Sequence, residues 1–112
     1  MVWGAGEEER DLLYVSDLVK FVELAIGKQE SAFELYNAGY GSSISVKDLV
    51  AKIIKSSGKN LKIEHDLTKP SIKTKLFLDT TKAKSSLGWS PEVSLDEGIR
   101  KTIDWYRMNI GI

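Results

Sequence analysis

Short β-prone runs alternate with helix-start signals along the chain, and this alternation restricts the possible folds more than any other sequence feature. Residues 11–15 predict a strand followed by a helix that Ser16 or Asp17 caps. Residues 33–39 and 61–65 predict two further strands, each bounded by turn or polar residues. A chain that alternates strands and helices in this way belongs to the α/β class.

Four helices are predicted from their caps and apolar stripes. The first carries apolar side chains at helical spacing, at Leu18, Phe21, Val22, Ala25 and Ile26. Ser45 and Ser94 are each followed three residues later by an acidic residue, which is a capping signature for the second and fourth helices. Asp79 or Thr80 caps a short third helix that ends at Gly88. The fourth helix has an inward stripe at Leu95, Ile99, Thr102, Ile103 and Tyr106.

Length and charge indicate a single domain without a general affinity for nucleic acid or membranes. The 112 residues are predicted to form one domain, residues 1–112. Sixteen basic and sixteen acidic residues balance, so no overall field favours nucleic acid or an anionic membrane as a partner. No apolar run approaches the roughly 18 residues of a membrane span. Cysteine is absent and no secretory leader opens the sequence, which predicts a cytoplasmic location.

The residues alone predict no catalytic group, no metal ligands and no cofactor loop. Gly4 and Gly6 match half of a dinucleotide fingerprint, without a third glycine and with three glutamates where a pyrophosphate would approach. His65 is the single histidine and is predicted to lie at the surface near a strand end. No tyrosine has a lysine four residues later that would lower its pKa.

Three blocks of the sequence, in order and spacing, resemble one family. They are VWGAGEEERDLLYVSDLV, YNAGYGSSISVKDLVAKI and KTKLFLDTTKAKSSLGWSPEVSLDEGIRKTIDWY. They are similar to the C-terminal third of the extended short-chain dehydrogenase/reductases of the NAD-dependent epimerase/dehydratase family, which act on nucleotide-sugars. The resemblance implies a small α/β substrate-binding domain, a fragment that lacks the Rossmann domain with its NAD or NADP loop and its catalytic Tyr and Lys.

Four residues take substrate-binding roles from this resemblance. It implies that Trp3 contacts the base or sugar of the nucleotide-sugar and that Arg10 binds its diphosphate. The alternatives are an apolar Trp3 at a frayed end and an ion pair of Arg10 with the neighbouring glutamates. Lys75 occupies a position where relatives carry arginine, in the polar loop that starts at residue 69. Lys62 matches a basic substrate-side position, with a solvated strand lysine as its alternative. Residues 87–89 resemble a structural Leu-Gly-Trp turn, with Trp89 beneath the final helix.

The function implied for the intact parent is that of an NAD(P)-dependent nucleotide-sugar epimerase, dehydratase or reductase, with base, sugar and reaction left open. By itself this chain is expected to be inactive and to bind no cofactor. Its implied partners are the nucleotide-sugar and an N-terminal Rossmann domain. Without that domain, the first helix or second strand is expected to expose an apolar face and to allow weak self-association. The alternative is a self-standing nucleotide-sugar-binding or protein-interaction module without catalysis.

Overall fold

The computed structural model describes residues 1–110, which form four helices and four very short strands. The elements in chain order are β1 (Val2–Trp3), β2 (Glu9–Arg10), α1 (Val15–Lys28), β3 (Ile44–Ser45), α2 (Val46–Ser57), β4 (His65–Asp66), α3 (Thr81–Leu87) and α4 (Leu95–Ile110). The predicted α/β class is confirmed, although helices carry most of the regular structure.

The strands pair between segments that are far apart in the sequence. β1 pairs in parallel with β4, with Val2 opposite His65. β2 pairs in antiparallel fashion with β3, with Arg10 opposite Ile44. A parallel bridge also joins β2 to Lys75.

The three predicted strands are misplaced or too long. Residues 11–14 are irregular and lead into α1, and only His65 of the predicted third strand lies in β4. Residues 33–38 are not assigned to a strand, but their side chains alternate between exposed and half-buried positions. Phe33 and Leu35 lie on the exposed side, whereas Tyr36 and Ala38 pack against the core. The segment therefore has two faces, as a strand would, but it has no neighbouring strand with which to form a ladder in the described residues.

The helix caps agree with the sequence in three of four cases. The Ser45 hydroxyl accepts the Asp48 N–H at 3.2 Å, and the Ser94 hydroxyl accepts the Glu97 N–H at 3.2 Å. The Asp79 carboxylate caps α3, since it accepts the N–H of Thr81 at 3.0 Å and its hydroxyl at 2.6 Å. These two hydrogen bonds, the hydroxyl first, hold the pKa of Asp79 below its ordinary value. α1 instead starts at Val15 after Tyr14, with no side-chain cap, so the predicted cap at Ser16 or Asp17 is wrong.

Asp17 has a different role, because it lies inside α1 and is only 2% exposed. Its carboxylate accepts the N–H groups of Glu92 and Val93, both at 3.1 Å. Its backbone carbonyl accepts the indole N–H of Trp89 at 2.9 Å. One residue thus joins the first helix to the segment that precedes α4.

The main core forms where α3 and the following turn meet α1. Ala83, Leu87 and Trp89 are buried there, and the Trp89 ring meets the Phe21 ring edge-to-face with centroids 5.4 Å apart. The structural role predicted for the Leu-Gly-Trp turn agrees with this burial, and Gly88 ends α3 with a positive φ of 67°. The predicted position of Trp89 beneath the final helix is wrong, because the indole packs against α1 instead.

The second packing unit is the α2–α4 pair. The Arg107 guanidinium donates to the Ser57 carbonyl at 2.6 Å, and Lys52 pairs with Asp96 at 2.7 Å. The inward stripe predicted for α4 lines two adjoining apolar cavities at this contact. Leu95, Ile99, Thr102 and Ile103 line one of about 230 Å³, and Tyr106 lines one of about 550 Å³. Within residues 1–110, no helix is long and apolar enough to cross a membrane.

The outer side of α1 is an apolar face. Phe21, Leu24 and Ala25 pack against the core. The other apolar side chains of α1 are exposed, at Val15, Leu18, Val19, Val22 and Ile26. Phe33 and Leu35 are exposed as well, so the first helix and the segment predicted as the second strand both show apolar side chains to solvent, as expected from the sequence.

Candidate functional site

The candidate site is built where β2 runs beside the polar loop of residues 71–76. The Glu9 N–H donates to the Thr74 carbonyl at 2.7 Å, and the Leu76 N–H donates to the Glu9 carbonyl at 3.2 Å. These backbone bonds fix the loop against the strand that carries Arg10. They also place Lys75 next to that strand, since Lys75 is the bridge partner of Glu9.

The three consecutive glutamates, Glu7 to Glu9, each contact this loop. The Glu7 carboxylate lies 3.2 Å from the Lys73 ammonium, and the Glu9 carboxylate lies 3.8 Å from the Lys75 ammonium. Each is a largely exposed pair, so it contributes at most about 1 kcal/mol. Between them, the Ser71 hydroxyl donates to Glu8 at 2.9 Å. Each of the three glutamates therefore contacts one side chain of the loop.

Arg10 is exposed at the edge of this strand pair. Its Nη1 donates to the Glu9 carbonyl at 3.0 Å and to the Thr74 hydroxyl at 2.8 Å. No carboxylate lies within ion-pair distance of its guanidinium among the described residues, so the ion pair with Glu7, Glu8 or Glu9 does not form. Two neutral acceptors, the Glu9 carbonyl and the Thr74 hydroxyl, fix the position of the guanidinium.

A small cleft lies beside Arg10, between the loop that leads into α2 and the start of α4. Tyr40, Ser42, Ser43 and Leu95 line it with Arg10, and its volume is about 40 Å³. The Ser43 hydroxyl donates to Glu9 at 2.9 Å. Leu12 and Ile44 also line the cleft, so its wall is largely apolar, and its volume leaves room beside Arg10 for a few water molecules at most.

Trp3 and Lys62 lie at the other strand pair. Trp3 is 59% exposed on β1, and the Lys69 ammonium is 5.4 Å from its ring centroid. Lys62 is exposed and precedes β4, without a hydrogen bond or ion pair within residues 1–110. The structure places Arg10 and Lys75 on adjacent backbone segments, with the Arg10 guanidinium on Thr74 and the Lys75 ammonium towards Glu9, and it does not place Trp3 or Lys62 in contact with them.

The glycine turn is occupied by the chain's own side chains. Gly4 and Gly6 both have a positive φ of 69°, which favours glycine. A Cβ on Gly4 would lie 2.5 Å from that of Ser71, and one on Gly6 would lie 3.0 Å from that of Lys47. The close approach that these glycines permit in this structure is to Ser71 and Lys47.

Metal chemistry has no visible basis in the described part of the chain. Residues 1–110 contain no group of three histidine, aspartate or glutamate side chains arranged to hold a metal ion. His65 is exposed on β4, as predicted, and its Nδ1 lies 2.9 Å from the Gly4 carbonyl oxygen.

Two residues of the site region were missed from the sequence. Asp11 directly follows Arg10 and accepts three backbone N–H groups, and Lys69 lies over the Trp3 ring. An aspartate directly after a strand, with glycine-rich loops elsewhere in the chain, was the available signal for Asp11. No local signal identifies Lys69, because its contact depends on the β1–β4 pairing.

The fold is an α/β module in which one exposed arginine, Arg10, lies at the edge of a short strand pair beside three glutamates. Residues 1–102 match the family model described as GDP-mannose 4,6 dehydratase. The chain belongs to this family, and the resemblance to the nucleotide-sugar epimerases and dehydratases is confirmed.

Individual relatives carry the names of several nucleotide-sugar enzymes. The putative GDP-L-fucose synthase 2 of Arabidopsis thaliana is 34% identical over 110 residues, covering 98% of this chain and 33% of the relative. A dTDP-glucose 4,6-dehydratase of Streptomyces niveus is 34% identical over 111 residues, covering 96% of this chain and 32% of the relative. The chain thus spans about a third of the length of the curated relatives it matches.

Solved structures give the same picture. UDP-glucose 4-epimerase of Thermotoga maritima, determined with UDP-glucose, superimposes with a TM-score of 0.87 and 33% identity, covering 97% of this chain and 35% of that structure. The dTDP-glucose 4,6-dehydratase of Bacillus anthracis, in complex with NAD, superimposes with a TM-score of 0.84 and 27% identity, covering 96% and 34% respectively. The fold of the described residues is therefore that of one part of these enzymes.

Proposed function

We propose that this chain is the substrate-binding part of an NAD(P)-dependent nucleotide-sugar epimerase, dehydratase or reductase. The observation that carries the proposal is the position of Arg10, exposed and without a carboxylate partner in residues 1–110, next to Lys75 on one paired strand edge. Family membership and the names of the relatives support a nucleotide-sugar as the ligand.

In this proposal Arg10 provides the main contact to the diphosphate. A guanidinium donates through a planar fork that matches phosphate oxygens, whereas a lysine ammonium acts as a point charge. Lys75 is already 3.8 Å from the Glu9 carboxylate, which offsets part of its charge. Lys75 therefore assists, and Arg10 dominates.

The remaining two residues contact the ends of the ligand. The exposed Trp3 ring is available to stack on a base or sugar, and the Lys69 ammonium beside it keeps that region positive. Lys62 has no intramolecular partner in the described chain and supplies a further basic group near β4.

The chemistry in this proposal belongs to a Rossmann domain that packs on the outer face of α1 and on residues 33–38. Bound NAD or NADP would supply hydride transfer there, since the glycine turn of this chain is filled by Ser71 and Lys47. The exposed apolar side chains of α1 and of the extended segment support this packing. By itself the chain is proposed to bind the nucleotide-sugar weakly and to turn nothing over.

The test is a titration of the chain with UDP-glucose, dTDP-glucose and GDP-mannose, followed by NMR. We expect a dissociation constant of about 1 mM or weaker for the best of these ligands, because few contacts are available on an open surface. Arg10→Ala should weaken this binding by about tenfold or more, because a charged hydrogen-bonding contact is lost, and Arg10→Lys should recover only part.

Arg100→Ala is the matched control. Arg100 is also exposed, but it pairs with Asp104 on the surface of α4, away from the site. Its substitution should leave the affinity unchanged. Saturable binding that Arg10→Ala leaves intact and Lys75→Ala abolishes would assign the diphosphate to Lys75 and contradict the role of Arg10. The absence of saturable binding to all three ligands would contradict the proposed function of this chain.

A further inference from the structure

The carboxylate of Asp11 is the point at which three separate segments meet. Its Oδ1 accepts the Tyr40 N–H at 2.6 Å, and its Oδ2 accepts the N–H groups of Gly41 at 3.0 Å and Leu78 at 3.1 Å. A Cβ on Gly39 would lie 2.9 Å from that Oδ2, so glycine is required for this approach. No lysine or arginine pairs with Asp11 within residues 1–110.

Asp11 holds two segments that lie beside Arg10, one around residues 40–43 and the other at residues 74–78. Tyr40 and the serines that follow it line the small cleft. Leu78 ends the other segment, which begins with Thr74, the hydrogen-bond partner of Arg10, and Lys75. Residues 40, 41 and 78 are not part of any strand, so their N–H groups have no strand partner and donate to the Asp11 carboxylate instead.

We propose that Asp11 is a positioning residue for ligand binding, which sets the distance and orientation of Arg10 relative to Thr74 and Lys75. The inference rests on the proposed function, since it assigns Asp11 to the site that holds the diphosphate. Hydrogen bonds to an ionised carboxylate are stronger than those between neutral groups, and three of them converge on one side chain. The residue next to Arg10 therefore fixes both segments at once.

The test substitution is Asp11→Asn. The amide keeps only one acceptor oxygen, so an NH2 donor must face either the Tyr40 N–H or the N–H groups of Gly41 and Leu78, and at least one of the three bonds is lost at similar volume. The first readout needs no ligand: the side-chain Nε–Hε resonance of Arg10 and the amide resonance of Thr74 should both move. Unchanged resonances in a folded Asp11→Asn variant would overturn the inference, whether or not the chain binds a nucleotide-sugar.

The second readout is a double-mutant cycle on the affinity for the best of UDP-glucose, dTDP-glucose and GDP-mannose. We expect Asp11→Asn to weaken binding about three- to tenfold in the wild-type background and to have little further effect in the Arg10→Ala background. Equal weakening in both backgrounds would mean that Asp11 acts only through general stability, and would overturn the inference. If Arg10→Ala itself leaves the affinity unchanged, the role of Arg10 in the proposed function fails instead.

Asp17→Asn is the matched control, because Asp17 also accepts two backbone N–H groups but lies beside Trp89. It should lower stability without moving the Arg10 resonance and without weakening binding to the folded protein. If Asp11→Asn does not fold, Gly39→Ala displaces the same carboxylate from the other side and enters the same cycle. The same outcomes then support or overturn the inference.

Discussion

Three aspartate side chains accept backbone N–H groups from segments that are not held by a strand ladder or by the hydrogen bonds of a helix. Asp11 holds two loops beside β2, Asp17 holds the segment before α4, and Asp79 holds the start of α3. In each case the acceptor oxygens bind backbone N–H groups rather than lysine or arginine. The Val93 N–H that Asp17 accepts is buried, so replacing Asp17 should cost more stability than breaking one of the exposed ion pairs.

Asp79 gives a prediction for pH dependence. Its pKa is lowered in the folded state by the Thr81 hydroxyl and N–H. The ionised carboxylate therefore stabilises the fold above the unfolded-state pKa, and this contribution is lost as the pH falls through the folded-state pKa. We expect Asp79→Asn to lower the urea midpoint at about pH 7, and we expect its difference from the wild type to shrink at about pH 2.

Thr81→Val is the partner variant for this experiment. It removes the hydroxyl that contributes most to the lowered pKa of Asp79 and keeps the carboxylate. The pH dependence of the urea midpoint should therefore shrink. A difference between wild type and Asp79→Asn that is the same at both pH values would rule out ionisation as its cause.

At the scale of elements, α1 has two apolar sides, of which one is buried and the other is exposed. One side packs on Trp89 and its neighbours, and the other is open, with Val19 52% and Ile26 81% exposed. A helix that is apolar on both sides is suited to lie between two packing partners. Within residues 1–110, only the inner side has one.

The outer face should therefore bind apolar dyes and promote weak self-association. We expect Val19→Lys and Ile26→Lys to reduce both the dye fluorescence and the concentration dependence of the sedimentation coefficient. The free energy of unfolding should change by less than about 0.5 kcal/mol, because both positions are exposed. Met108→Lys, at an exposed position on α4, is the control and should leave association unchanged. A wild-type chain that is monomeric at every concentration and binds no dye would contradict this interpretation.

Helix boundaries were predictable from the sequence because their signals are local. Ser45, Ser94 and Asp79 each bond to an N–H two or three residues away, and Gly88 ends α3 within one turn. Strands were not predictable in the same way, since β-prone residues at 11–15 and 33–39 have no ladder in the described chain. The cap expected at Asp17 failed because a distant segment uses its carboxylate.

At the scale of the whole molecule, the candidate site depends on long-range pairing. Arg10 and Thr74 are 64 residues apart in the sequence. The family resemblance could name Arg10 and Lys75 individually, because a motif preserves residue types and spacing. That these residues lie on adjacent segments, and that Asp11 contacts the same region, depends on the pairing of β2, which composition and periodicity do not reveal.

The short strands also determine how the molecule opens. β2 and β3 have two residues each, so separating the edge beneath Arg10 breaks few hydrogen bonds, whereas unfolding α4 breaks a ladder of sixteen residues. We expect the amide hydrogens of Glu9 and Leu76 to exchange with deuterium about a hundredfold faster than those of Thr102 and Ile103. Equal exchange rates would show that the edge opens only with global unfolding. The edge that carries Arg10 is thus expected to open without the unfolding of α4.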